Sequence, residues 1–322
     1  MMNLYSYQPA SLKANHVQSS AARTTEMTSR NFIRPFAAAF AACLFSAYAQ
    51  QPASLAPQPA GAKTIVFVAG PKDHGAPGRH EYMKDLTVLK YCMDHASNLN
   101  GVATRIYNGK VPALASLRNP AAIVLESSGD RTPEESHALF PQNDTTDQKT
   151  YDPYTTERLK QFDQLMKDGT GLAIFHYTTH VVNETARNYF LDWLGGYYKT
   201  GVSKVVMGTW TTTVAAPDHP ILRGVQPIAY DEEIFTNEVL PDDPRRTILL
   251  TGNAKDGTSS VLSWAVERQG GGRGFVMAGL DTHKNLAIES NRRLVVNGIL
   301  WAAHVEVPEG GVKCELPEDV MK

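Results

Sequence analysis

Short apolar runs alternate with amphipathic stretches through the first half of the chain. The runs have the length and β-branching of buried strands. They fall at 63–70, where KTIVFVA runs into Gly70, at 101–107, at 121–126 and at 172–175. Helical spacing fills the intervals. Between 81 and 99 it turns Tyr82, Leu86, Leu89, Met93 and Ala96 inward, and between 154 and 168 Leu159, Phe162, Leu165 and Met166. A further helix is predicted over 185–194, carrying Tyr189, Phe190 and Trp193 and stopped by Gly195 and Gly196. The period then shortens. Val205, Val206, Met207, Trp210, Thr212 and Val214 predict a half-exposed strand or hairpin over 202–215. Strands follow at 247–251, 261–267 and 274–280, the last two a hairpin about Gly270–Gly272, and a final helix spans 292–304. Strand–helix alternation closed by strands predicts one α/β domain over 63–312 with a mostly parallel sheet, followed by a polar tail over 313–322.

The first 62 residues do not share this pattern. A basic stretch from Met27 to Arg34, an alanine-rich apolar run from Pro35 to Tyr48 and the small-residue site Ala47-Tyr48-Ala49 read as a secretory signal. Met27 is its expected start, cleavage is expected after Ala49, and 50–62 reads as a disordered leader rich in Gln, Pro and Ala. The apolar run is too short to span a bilayer. Lipidation at Cys43 is the weaker alternative. The expected compartment is extracellular or periplasmic.

Composition narrows the partners. The chain has 322 residues, 42% of them hydrophobic and 20% charged, with net charge −2. Removing 1–49 takes away four basic residues and one acidic one, which makes the remainder more acidic. No Lys/Arg cluster stands out, so nucleic acid is not an expected partner. The three cysteines, Cys43, Cys92 and Cys314, lack metal-ligand spacing. Cys92 and Cys314 can pair, but Cys92 sits in an apolar helical pattern and reads as a buried thiol.

No dinucleotide fingerprint, Walker lysine or G-x-S-x-G elbow is present. What the chain carries instead is histidine where apolar runs stop. His74, His80 and Glu81 follow the first strand, His176, Tyr177 and His180 the fourth, and Asp281, His283 and Asn285 a late one. Open α/β sheets bind ligands beyond the carboxyl ends of their strands. Imidazoles there suit acid–base work near neutral pH, or a divalent metal with His74, His80 and His176 as candidate ligands. Each also has a plainer reading, as a cap or a satisfied core group. Asp231, Glu232 and Glu233 form an acidic run that is either a working carboxylate set or a surface turn. Tyr197, Tyr198 and Trp210 can stack on a sugar ring or simply pack.

Six ordered blocks then carry a resemblance. They are GPKDHG at 70–75 with His80 and Glu81, GLAIFHY at 171–177, FLDWLGG at 190–196 and DHPILRG at 218–224. DEE at 231–233 follows, then GRGF at 272–275 with HKN at 283–285 and ILW at 299–301. Over about 63–312 the chain resembles the ThuA-like (trehalose utilisation) family, which implies a flavodoxin-like, class I glutamine amidotransferase-like three-layer fold. Amidotransferases keep a nucleophilic cysteine after the central strand. His176 stands at that position here, so glutaminase chemistry is not implied. The resemblance implies work on a carbohydrate, such as a disaccharide or a 3-keto-glycoside, beside a sugar oxidoreductase. His176 is then the expected base and His283 or His74 the acid. His80, Glu81, Tyr177, Trp210, Asp231, Glu232, Asp281 and Asn285 are expected around the substrate. A non-catalytic envelope carbohydrate-binding protein and a metal-dependent hydrolase are the alternatives.

Overall fold

The computed structural model describes residues 61–130, 137–139 and 153–322. The expected signal, leader, Cys43 and most of the polar excursion over 131–154 lie outside the described residues. Nine strands form one sheet in the order β2-β1-β3-β4-β9-β8-β7-β5-β6. Its first half joins β1 (Lys63–Ala69), β2 (Val102–Asn108), β3 (Ala122–Glu126), β4 (Gly171–Phe175) and β9 (Arg273–Met277), all parallel. That order is the flavodoxin-like one, with its reversal beside β1. The central members β3 and β4 are buried along their whole length, as continuous apolar runs require.

The second half is antiparallel. It contains β5 (Lys204–Val214), β6 (Ala229–Thr236), β7 (Arg246–Ala254) and β8 (Ser259–Glu267). The antiparallel part thus has four strands to the parallel part's five, and its strands are longer. The stretch 202–215 is a single strand paired on both sides. The acidic run Asp231–Glu233 belongs to the edge strand β6 rather than to a surface turn. It escapes a hydrophobicity reading because a carboxylate, Glu232, occupies an inward position.

Among the described residues four helices cover the sheet: α1 (Tyr82–His95), α2 (Pro153–Lys167), α3 (Glu184–Leu194) and α4 (Glu289–Ala302). α1 and α4 pack on each other and on the parallel strands, while α2 and α3 pack together elsewhere, giving helices on both faces. α4 comes so close to β4 that a Cβ on Gly171 would lie 2.1 Å from the Ala302 carbonyl oxygen, so glycine must open that strand.

Cys92 corrects the sequence reading. It is fully buried in α1, but bonded to Cys314 across a Cα–Cα distance of 5.2 Å. Helical periodicity reported its burial and could not report that the tail returns over α1. Asn98 fastens the same tail, its amide binding the Gly311 carbonyl at 2.9 Å and its carbonyl the Lys313 amide at 2.9 Å.

Candidate functional site

Three loops open at the carboxyl ends of β1, β4 and β9. The first and third are tied to each other: the His80 amide donates to the Asp281 carbonyl at 2.9 Å, and the His283 amide to the Gly78 carbonyl at 3.0 Å. Glu81 stabilises the first loop from outside, accepting from Lys72 Nζ at 2.5 Å and the Gly78 amide at 2.9 Å. The second loop is the 3-10 turn His176–Thr179. Thr178 pins it by accepting from the Ser127 amide at 2.8 Å and donating to the Ser127 carbonyl at 3.1 Å. His80 and His176 both have left-handed backbones, with φ of 52° and 42°. Such conformations are costly outside glycine and collect at working sites, where surrounding structure holds them.

The loops bring His80, His176 and Asp281 together with Glu233 of β6, and one ligand atom from each lies within 4.8 Å of all the others. Arg79 organises the carboxylates. Its Nε donates to Asp281 Oδ2 at 2.5 Å and its Nη2 to Glu233 Oε2. The second oxygen of each is thereby turned toward the histidines. Asp281 Oδ1 lies 3.1 Å from His80 Nε2, and His176 Nε2 lies 3.6 Å from Glu233 Oε1 and 3.9 Å from Asp281 Oδ1. The last two separations are too long for hydrogen bonds. His176 Nε2 and Asp281 Oδ1 are buried with no hydrogen-bond partner among the described residues. His176 Nδ1 is engaged by the Ala278 carbonyl at 3.1 Å, so its Nε2 is the atom presented to the cluster.

Burial pulls the His80 imidazole down to about 3, helped by His176 and His74. Burial also opposes charge on His176, but Glu233 and Asp281 outweigh it and raise that group. Glu233 is desolvated too, yet His176 and Arg79 hold its carboxyl at about 2. Two imidazoles and two carboxylates with buried, inward-facing atoms form a donor set that divalent cations accept.

Behind the cluster stands Glu232, fully buried and pushed up to about 7 mainly by desolvation. It accepts from the Thr282 amide at 3.0 Å, the Leu280 amide at 3.3 Å and Asn285 Nδ2 at 3.0 Å. Asn285 also donates to the Asp231 carbonyl at 2.8 Å. Glu232 and Asn285 thus position the loop that carries Asp281. The Asp231 carboxylate points elsewhere and accepts from Thr209 at 2.5 Å.

Above the cluster is a cavity of about 280 Å³, lined among others by His74, Arg79, His80, Tyr177, Glu233 and Phe235. This is near the lower end of small-ligand sites, roughly 300 Å³. His74 is on its wall, with Nδ1 held by Asp73 at 2.7 Å and its ring 4.1 Å from that of His80. A larger hollow of about 540 Å³ lies by the C-terminal tail, lined by Lys284, Arg292 and Met321 among others, away from the histidine cluster.

Glu81, Asp231, Glu232 and Asn285 do not line the cavity, and two further expected site residues, His283 and Trp210, lie elsewhere. His283 follows β9 as expected, but its imidazole turns under the loop to Asp85 at 2.5 Å and the Met321 carbonyl at 3.0 Å. Trp210 is fully buried on the inward face of β5 and cannot meet a sugar in the cavity. No motif in the sequence marks Arg79, and nothing there sets Glu233 apart from its acidic neighbours. His180 lines the cavity, with Nε2 2.8 Å from Thr200 Oγ1 and its ring against Tyr198 at 4.5 Å. The left-handed preference of a non-glycine residue leaves no mark in sequence.

His137 buttresses the second loop. Its Nε2 donates to the Thr178 carbonyl at 3.1 Å while its Nδ1 accepts from the Leu139 amide at 3.1 Å, an arrangement only the neutral ring can make. Burial lowers this group to about 4. A depressed folded value means the stabilisation is whole above the ordinary 6.5 and is lost as pH falls toward 4. The expected loss is on the order of 3 kcal/mol. Urea unfolding at pH 7 and pH 4 should show it, and His137→Gln should flatten the dependence by a similar amount.

The chain matches the trehalose utilisation (ThuA) family model over residues 135–302, more than half its length, and belongs to that family. No curated protein sequence matches it. Among solved structures it is similar to a ThuA-like protein of Parabacteroides merdae, at 16% identity and TM-score 0.50, covering 80% of this chain and 94% of that one. At that identity the likeness shows the shared α/β fold. A ThuA-like protein of Bacteroides uniformis is similar at 15% identity and TM-score 0.49, over 78% of this chain and 95% of that one. So is a cytoplasmic protein of Salmonella typhimurium, at 16% and 0.48, over 74% and 98%. No helix among the described residues is long and apolar enough to cross a membrane.

Proposed function

We propose that this protein is a carbohydrate-processing enzyme whose site holds a divalent cation on His80, His176, Glu233 and Asp281, with His74 as its proton-transfer group. One observation carries the reading. Arg79 takes one oxygen of each carboxylate, the other oxygens face His80 and His176, and His176 Nε2 and Asp281 Oδ1 stay buried without a hydrogen-bond partner among the described residues. Family membership supports a sugar as substrate.

When bound, such a cation supplies Lewis-acid polarisation of a substrate oxygen. The chain's residues do the rest. Arg79 keeps the carboxylates oriented, and Tyr177 and Phe235 wall the cavity with ring faces and edges. His74 is held by Asp73 through Nδ1, which leaves Nε2 to exchange protons with a ligand. On a 3-keto-glycoside the acidified C–H next to the carbonyl gives up its proton to His74. The C–H electron pair forms a carbon–carbon double bond as the glycosidic C–O bond breaks, and the departing oxygen takes a proton. His176, 1% exposed and not part of the cavity lining, suits holding the cation better than acting as the base expected from sequence.

The Cys92–Cys314 bond supports an oxidising compartment, in keeping with the secretory signal read at 27–49. A sugar oxidoreductase that makes the 3-keto group is the class of partner this chemistry needs upstream.

Release of nitrophenol from aryl 3-keto-glycosides tests the reading. The metal-loaded protein should turn them over, chelation should stop it, and His74→Ala should slow it by about 10²–10⁴. Tight binding without release, unaffected by chelation, would make the protein a carbohydrate-binding module instead.

A further inference from the structure

Among the described residues the large hydrophobics that stand exposed are Val202, Val205 and Met207, at 48, 50 and 52%. All fall within six consecutive positions beside the cavity. Pairing in the β5–β6 ladder places them relative to the site. Val205 lies opposite Phe235 and Met207 opposite Glu233, and directly opposed residues point to one face of a sheet. The hydrogen bond between Thr209 and Asp231, the next pair along, fixes that face. Val205 and Met207 therefore continue the surface that presents Glu233 to the cluster, and Val205 with Phe235 forms part of the cavity wall. The opposite face of the same ladder carries the buried Trp210, Tyr230 and Ile234. The exposed pair is thus an addition to the core, not part of it.

We infer that Val205 and Met207 form the subsite for an apolar, aromatic aglycone, so that the substrates are aryl glycosides rather than disaccharides. The inference rests on the carbohydrate reading above. His74, Arg79, His80 and Glu233 offer a sugar ring polar partners within the cavity, and what leaves its mouth on the β5 side meets valine, methionine and Phe235. Tyr198 stands 4.5 Å from Phe235, giving the mouth an aromatic border. A stable protein interface takes roughly 800 Å² and 20–30 residues per partner, and three exposed apolar side chains do not make one. A second sugar would set its hydroxyls against that apolar surface without partners, which costs binding.

Calorimetric titration of the intact protein with methyl and 4-nitrophenyl β-D-glucopyranoside, each also in its 3-keto form, tests this. The nitrophenyl member of a pair should bind about tenfold tighter, equivalent to about 1.4 kcal/mol. The double substitution Val205→Thr/Met207→Thr should bring it to within about twofold of the methyl member. Equal binding of both by the unaltered protein, or a preference that survives the substitutions, overturns the inference and leaves the carbohydrate reading standing. If neither glycoside binds, both fall together. Sedimentation showing a dimer that the substitutions dissolve would assign the strip to a second copy and overturn the inference.

Discussion

Asp281→Asn should cost the protein its cation and its turnover together. Asp281 is the common member of the cluster: one oxygen on Arg79, the other 3.1 Å from His80 and 3.9 Å from His176, with its backbone carbonyl accepting from the His80 amide. The amide side chain keeps the volume and one acceptor oxygen but removes a negative charge from a fully buried position. Divalent affinity should fall by more than about 100-fold, since even outer partners of metal ligands are worth 10–100-fold. Turnover should fall at least as far. The backbone tie to His80 survives the change, so folding should persist and the circular dichroism spectrum should match that of the parent. An amide variant that binds zinc or manganese as the parent does would remove Asp281 from the ligand set.

The largest expected effect on stability comes from the disulfide. Cys92 and Cys314 are 222 residues apart, and a cross-link over so long a loop removes much of the freedom of the unfolded chain. Cys92→Ser/Cys314→Ser should lower stability by about 2–5 kcal/mol, or roughly 5–15 °C in Tm for a domain of this size. The consequence reaches toward the site. The bond closes the tail over α1, and the tail returns the Met321 carbonyl to His283, whose imidazole also binds Asp85 of α1. Thiol reductant should destabilise the parent protein to the same degree and leave the double variant unmoved. A parent Tm indifferent to reductant would contradict the account.

The parallel half of the sheet was legible because its strands are continuous apolar runs, and the ends of those runs marked His80, His176 and Asp281. The rest of the site was hidden for physical reasons. Glu233 lies on a strand whose alternation is masked by the buried carboxylate Glu232, which stands in line with Tyr230 and Ile234. Arg79 acts through two residues more than 150 positions away, and no local spacing reports such contacts. Whether a loop histidine turns toward the cavity or under its own loop is decided by tertiary partners. His80 finds Asp281, whereas His283 finds Asp85. The phase of β5 misled in the same way. Periodicity could not say which of its apolar faces met the core, so Trp210 was expected in the site and Val205 was not.

One divalent cation is expected on His80, His176, Glu233 and Asp281. Crystals of the protein soaked in manganese and measured for anomalous scattering test it most directly. A single strong anomalous peak is expected inside that four-residue cluster, beside the cavity whose wall includes His74. A map with no peak there, or with the strongest peak at another group of side chains, would contradict it.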